Sequence, residues 1–186
     1  MSKITLLRHA AVPVEYQKRY IGYDSDIGLD IQLFEYTKIE ELISKQKFDL
    51  IYTSDLKRCV DTVKHISDEY ICDNRLREMK FKKNVEGKSF EEVEQNDDYK
   101  QEYLENISTW YSYICKEPIE SFEQRIKEFL NSLPKNKKIL ICTHGGTMRM
   151  LHSLLMNKDY TDFLFKIDYL DAFNYNLDLY LNHKFI

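Results

Sequence analysis

Residues 139–146, Ile-Leu-Ile-Cys-Thr-His-Gly-Gly, decide the fold. Four apolar residues stop abruptly at a hydroxyl, an imidazole and two glycines, the pattern of a buried strand delivering polar groups at its carboxyl end. The pattern recurs twice. Ile4-Thr5-Leu6-Leu7 stops at Arg8-His9, and Leu50-Ile51-Tyr52 stops at Thr53-Ser54. Short, continuous apolar strands imply burial on both faces, as in a parallel sheet covered by helices.

Helical periods flank these strands. Ser54 is placed to cap a helix in which Leu56, Val60, Val63 and Ser67 follow the 3.6-residue period, and Leu151, Leu154 and Leu155 mark another after His144. Phe122, Ile126, Phe129, Leu130 and Leu133 form a third apolar stripe, opened by the capping-box pattern Ser121-x-x-Gln124 and stopped by Pro134. Leu33, Thr37 and the stretch 40–45 predict a helix before the second strand. Between about 84 and 118 the chain turns acidic and aromatic, and Ser89-x-x-Glu92 opens what reads as a helical insertion whose tyrosines are candidates to line a pocket. Alternation from Phe173 to Phe185 reads as edge strands or a hairpin. The expected fold is α/β: a three-layer α/β/α domain over residues 1–186, with a mostly parallel central sheet and a small helical cap insertion at about 84–118.

The 186 residues sit slightly above the ~150-residue prior for one domain, long enough to bury a core. At 43% hydrophobic and 31% charged the composition is that of a globular protein, which excludes collagen-like and linker arrays. Lys+Arg of 27 against Asp+Glu of 31 gives a net charge of −4, with a pI near 5.8. That balance predicts no nucleic-acid partner and no anionic membrane surface. No apolar run approaches the roughly 20 residues of a bilayer span, and no signal peptide is visible, so a cytoplasmic protein is expected. The cysteines at 59, 72, 115 and 142 have no metal-ligand spacing and read as reduced packing thiols.

In doubly wound proteins ligands bind beyond the carboxyl ends of the strands, where helix N-termini offer free N–H groups. Here those ends carry Arg8, His9, Ser54, Arg58, His144 and the Gly145-Gly146 pair. The set is cationic and imidazole-rich in an acidic chain. Arg58 lies one turn into its helix and can reach back over the sheet end, where a guanidinium fork matches phosphate oxygens. Two histidines without a carboxylate cluster of metal-ligand spacing favour covalent catalysis with no metal and no cofactor. One imidazole nitrogen would attack phosphorus while the other is fixed, and Arg8 and Arg58 should keep that ring neutral. The leaving alcohol needs a proton, and Glu78 in Leu76-Arg77-Glu78-Met79 is the candidate donor, with Glu86 and Asp73 as alternatives.

Arg8-His9, Ser54-x-x-x-Arg58-x-x-x-Thr62, Leu76-x-Glu78 with Glu86-Gly87, Glu120-Ser121 and Thr143-His144-Gly145-Gly146 follow one another in an order that resembles the histidine phosphatase (phosphoglycerate-mutase-like) superfamily. Within it, Arg19-Tyr20-Ile21-Gly22 followed by Asp26-x-x-Leu29 resembles the loop of the α-ribazole phosphatase and small-molecule phosphatase branch. The resemblance implies His9 as phosphorylated nucleophile, Glu78 as acid and then base, and Arg8, Arg58 and His144 as groups binding the phosphoryl. It also implies Gly145 in the same phosphate site and a backbone N–H offered to substrate by Gly22. The partner is then a small-molecule phosphomonoester, and oligomeric state is left open.

This chain departs from the family pattern at Ala10, Val12, Lys82 and Ile119, none of which removes a catalytic group. Hydrolysis of a small phosphorylated metabolite is the first reading. Mutase-type phosphoryl transfer, an inactive phosphate-binding module and phosphoprotein hydrolysis are the alternatives.

Overall fold

The computed structural model describes residues 2–160 and 166–183. Its five-stranded sheet has the order β3-β2-β4-β1-β5. β1 (Lys3–Arg8), β2 (Leu50–Thr53), β3 (Ile71–Cys72) and β4 (Lys138–Thr143) run parallel, and β5 (Ala172–Asn176) pairs antiparallel with β1 at the edge. The chain thus has the mostly parallel α/β architecture its apolar runs predict.

Side-chain alternation along the two central strands separates two cores. Ile4 and Leu6 of β1 and Ile139 and Ile141 of β4 face one cluster, while Leu7, Leu140 and Cys142 face the other. The first cluster is completed by α5 (Ile119–Ser132), α6 (Gly145–Met156) and α7 (Leu177–His183), the second by α1 (Tyr36–Lys45) and α2 (Lys57–Val63). Helices therefore cover both faces, which is why the central strands read as continuous apolar runs.

The segment between 84 and 118 holds α3 (Phe90–Val93), a 3-10 turn and α4 (Ile107–Ile114). Ser89 and Glu92 form the expected reciprocal capping box of α3. Three local expectations give way. α2 begins at Lys57 with Leu56 as its cap, because the Ser54 hydroxyl is engaged beneath the site, and it ends at Val63. α5 begins at Ile119, two residues before Ser121, since Pro118 has the extended geometry that precedes a first turn and fixes the start. After β5 the chain enters α7 instead of a hairpin. The Asn176 side chain accepts from the Asp178 N–H, and Leu177, Tyr180 and Leu181 pack at helical spacing. Phe185, the end of the expected hairpin, lies outside the described residues.

Cys59, Cys72, Cys115 and Cys142 are free thiols, and only Cys72 is exposed. Among the described residues no helix is long and apolar enough to cross a membrane.

Candidate active site

Register assembles the site. Arg8 of β1 pairs with Thr143 of β4, so His9 and His144 leave adjacent parallel strands at the same level. The two rings meet edge to face with centroids 5.2 Å apart. β2 lies on the other side of β4, and the Ser54 N–H donates to Cys142 O at 3.0 Å, which brings Ser54 and, one turn later, Arg58 under the same imidazoles.

His9 is 5% exposed and its Nδ1 lies 2.7 Å from the Ala10 carbonyl. A carbonyl only accepts, so the proton sits on Nδ1 and Nε2 keeps its lone pair. The Ala10 backbone is fixed in turn, because its N–H donates to Thr62 Oγ1 at 2.9 Å while the Thr62 hydroxyl donates to Arg58 O. Burial, then Arg58, then Arg8 hold the His9 pKa well below the ordinary histidine value. The ring is a neutral base. Charge repulsion keeps it so, as expected, but removal from water is the larger cause.

Arg58 is buried, and Nε donates to His144 Nδ1 at 3.1 Å while Nη1 donates to Ser25 O at 2.6 Å and Nη2 to Gly22 O at 3.1 Å. His144 therefore carries its proton on Nε2, which lies 2.9 Å from Ser54 Oγ. Both nitrogens of that ring are engaged by protein groups, and the side chain braces Arg58 and the His9 ring. Burial, Arg58, His9 and Arg8 together hold its pKa well below the ordinary value. Arg8 donates through Nη1 to Ile167 O, and its buried Nε has no acceptor among the described residues. A desolvated guanidinium N–H in that state is a demand for an anion.

Gly22 requires a correction. Its N–H donates to Glu86 Oε1 at 2.8 Å and is not available to substrate. The glycine is needed for close approach: a Cβ there would lie 2.6 Å from Met79 O and Phe81 Cδ2. The Glu86 carboxylate also accepts from the Ser25 hydroxyl, so it staples the loop whose carbonyls hold Arg58. Asp73 is paired with Arg75 at 2.6 Å. Of the three candidate carboxylates, Glu78 is the one on the cavity wall.

Glu78 sits at the start of α6. Its Oε2 accepts from Gly146 N at 2.9 Å, and its Oε1 from Thr147 N at 3.1 Å and Met79 N at 3.0 Å. A helix N-terminus is a favourable place for a carboxylate. Arg125 of α5 fixes the approach from behind, donating to the carbonyls of Arg75, Arg77 and Glu78 at 2.6, 2.9 and 3.1 Å while paired bidentately with Glu117. Sequence reading missed Arg125, and the signal for it was a basic residue three positions after Phe122 on the buried side of an amphipathic helix. It also passed over Gly146 in favour of Gly145. A Cβ at Gly145 meets only Arg8 atoms at 3.8 Å, whereas one at Gly146 would lie 2.2 Å from Met79 Cε and 2.5 Å from Glu78 Oε1. Gly146→Ala is expected to displace the Glu78 carboxylate, lower turnover at least about tenfold and cost about 1–3 kcal/mol of stability. Steady-state kinetics and a denaturant melt of the purified variant check both effects.

Arg8, His9, Arg58, Glu78 and Gly145 share one cavity of about 300 Å³. Ile107, Trp110, Tyr111 and Ile114 from α4 line the same cavity, so aromatic residues of the 84–118 segment do reach the pocket. Glu120 and Ser121 are exposed at the start of α5.

A family model for the histidine phosphatase superfamily (branch 1) matches residues 4–174. A protein of Hydrogenobacter thermophilus named "Putative phosphoserine phosphatase 2" is 32% identical over 165 residues, covering 83% of this chain and 79% of that one. Among solved structures, phosphoserine phosphatase of Entamoeba histolytica in complex with 3-phosphoglyceric acid superposes with a TM-score of 0.75 at 22% identity, covering 94% of this chain and 90% of that one. The α-ribazole phosphatase of Shigella flexneri gives 0.76 at 22%, covering 92% and 89%. The chain belongs to branch 1 of the histidine phosphatase superfamily and is a phosphatase.

Proposed function

We propose that the whole chain works as one domain, capped by the 84–118 segment, and hydrolyses a small phosphorylated metabolite through a phosphohistidine at His9. The observation that carries this reading is the 2.7 Å contact of His9 Nδ1 with the Ala10 carbonyl, which leaves a neutral Nε2 lone pair beside two guanidinium groups. Arg8 and Arg58 bind the phosphoryl oxygens, with Gly145 at the helix start beside them. His9 Nε2 attacks phosphorus in line, the P–O bond to the alcohol breaks, and the departing oxygen takes the proton of the Glu78 carboxylic acid. Water then attacks the phosphohistidine and gives a proton to Glu78, while the P–N electron pair returns to Nε2. The products are the alcohol and inorganic phosphate, and the enzyme is restored.

His144 holds Arg58 and the His9 ring in place for both steps. The cavity volume supports a small substrate, and the phosphorylated acids and α-ribazole phosphate implied by the names of similar proteins are of that class. No step of this reaction passes through a metal. Turnover of serine phosphate and 3-phosphoglycerate in excess chelator, with both products quantified, tests the reading. Equal amounts of alcohol and inorganic phosphate are expected. A second phosphorylated product without free phosphate would replace hydrolysis by phosphoryl transfer.

A further inference from the structure

The turn 167–171 clasps Arg8 from three sides. Ile167 O accepts from the Arg8 guanidinium, Asp171 O accepts from Arg8 N at 3.0 Å, and Leu170 N donates to Arg8 O at 3.2 Å. Leu170 adopts φ +62°, in the left-handed region that a branched non-glycine residue enters only when its surroundings compel it. Its side chain is buried in the α1/α2 core, and the Asp168 N–H donates to the Asp171 carboxylate at 2.6 Å. Such strain marks a residue held for what it presents.

What it presents is Tyr169. The phenol ring stacks on the Arg8 guanidinium at 4.3 Å and lies 5.6 Å from the His9 ring, on the cavity wall. Lys38 Nζ donates to the Tyr169 carbonyl at 3.3 Å and anchors the residue from outside. Its hydroxyl makes no hydrogen bond among the described residues, although both neighbouring guanidinium groups act on it. Burial raises the phenol pKa, with Arg8 and Arg58 pulling against it, so the hydroxyl remains a proton-bearing donor at neutral pH. A neutral O–H with no acceptor among the described residues, carried by a ring packed on Arg8 and beside the nucleophile, is placed to donate to an anion.

The geometry points to Tyr169 as a further catalytic residue, whose hydroxyl donates a hydrogen bond to a non-bridging oxygen of the phosphoryl group as it passes to and from His9. The assignment rests on His9 being the nucleophile. Two fixed cations already share the transferring charge, so the phenol contributes less than a sole oxyanion donor, whose loss costs about 10²–10³-fold. Tyr169→Phe keeps the ring on Arg8 and removes the donor. Its kcat on serine phosphate is expected to fall on the order of tenfold with KM within about twofold. Inhibition by vanadate, which takes up the five-coordinate geometry of the transfer, weakens by the same factor, and inhibition by inorganic phosphate weakens less.

Tyr169→Leu removes the ring as well. If the ring alone matters, as a wall packed on Arg8, the leucine variant loses activity while the phenylalanine variant matches wild type in kcat and vanadate affinity, and the assignment is overturned. The His9→Ala variant is run beside them. Inactive His9→Ala with wild-type-like Tyr169→Phe sinks only the tyrosine role; full activity in His9→Ala removes the reading on which it rests.

Discussion

Replacing His9 by alanine is expected to lower kcat by at least about 10⁴-fold on every phosphomonoester, the scale on which loss of a covalent nucleophile is felt. The loss should not depend on the leaving group, because the attacking atom itself is gone. Wild-type kcat/KM should keep its acid limb below the ordinary histidine pKa of about 6.5. The sign follows from the site: burial, Arg58 and Arg8 all penalise the imidazolium, so protonation that stops attack sets in only at lower pH. Among the described residues the ring's one hydrogen bond is to the carbonyl next to it, so the substitution breaks no long-range hydrogen bond, and a melt of the variant separates the kinetic loss from the cavity it leaves. Inorganic phosphate should still bind, held by Arg8 and Arg58. A pH-rate profile of the wild type and a kinetic comparison on p-nitrophenyl phosphate check both statements.

Glu78→Gln is expected to separate substrates by their leaving groups. An alkoxide cannot depart unprotonated, so kcat on serine phosphate should fall about 10²–10⁴-fold, the usual range for general acid catalysis. p-Nitrophenolate leaves without a proton, so turnover of p-nitrophenyl phosphate should fall less than about tenfold. Placed where Oε1 lies, the amide oxygen still accepts from the N–H groups of Thr147 and Met79, while the amide nitrogen replaces Oε2 and leaves the Gly146 N–H without its acceptor, so a melt of the variant accompanies the kinetics. Equal losses on the two substrates would mean that Glu78 acts in binding and not in proton transfer. Presteady-state kinetics on both substrates make the comparison.

The fold was legible where the chain changes character over one residue. Leu7 to Arg8, Tyr52 to Thr53 and Cys142 to Thr143 are abrupt steps from apolar to polar, and each marks a strand end at the site. His9, Arg58, Glu78 and His144 come together around one centre because those steps fall on neighbouring parallel strands. The tail was legible as an edge strand as far as Asn176 and misread beyond it, where Asn176 caps a helix that alternation alone hides.

Long-range hydrogen bonding was the least legible. Gly22 looked like a substrate contact, but its N–H is taken by Glu86, 64 positions away. His144 looked like a phosphate ligand, but its ring nitrogens are taken by Arg58 and Ser54, brought there by register. Tyr169 stands in an aperiodic turn whose one structural mark, the left-handed Leu170, is a backbone angle that no side-chain pattern announces.

The most direct test of the central claim is to quench the wild-type enzyme in base during steady-state turnover of serine phosphate and map the phosphorylated peptide by mass spectrometry. A phosphoryl group on His9, formed and lost at rates no slower than kcat, is the predicted result. Turnover with the phosphoryl group on another residue, or with no phosphoenzyme at any time point, would contradict it.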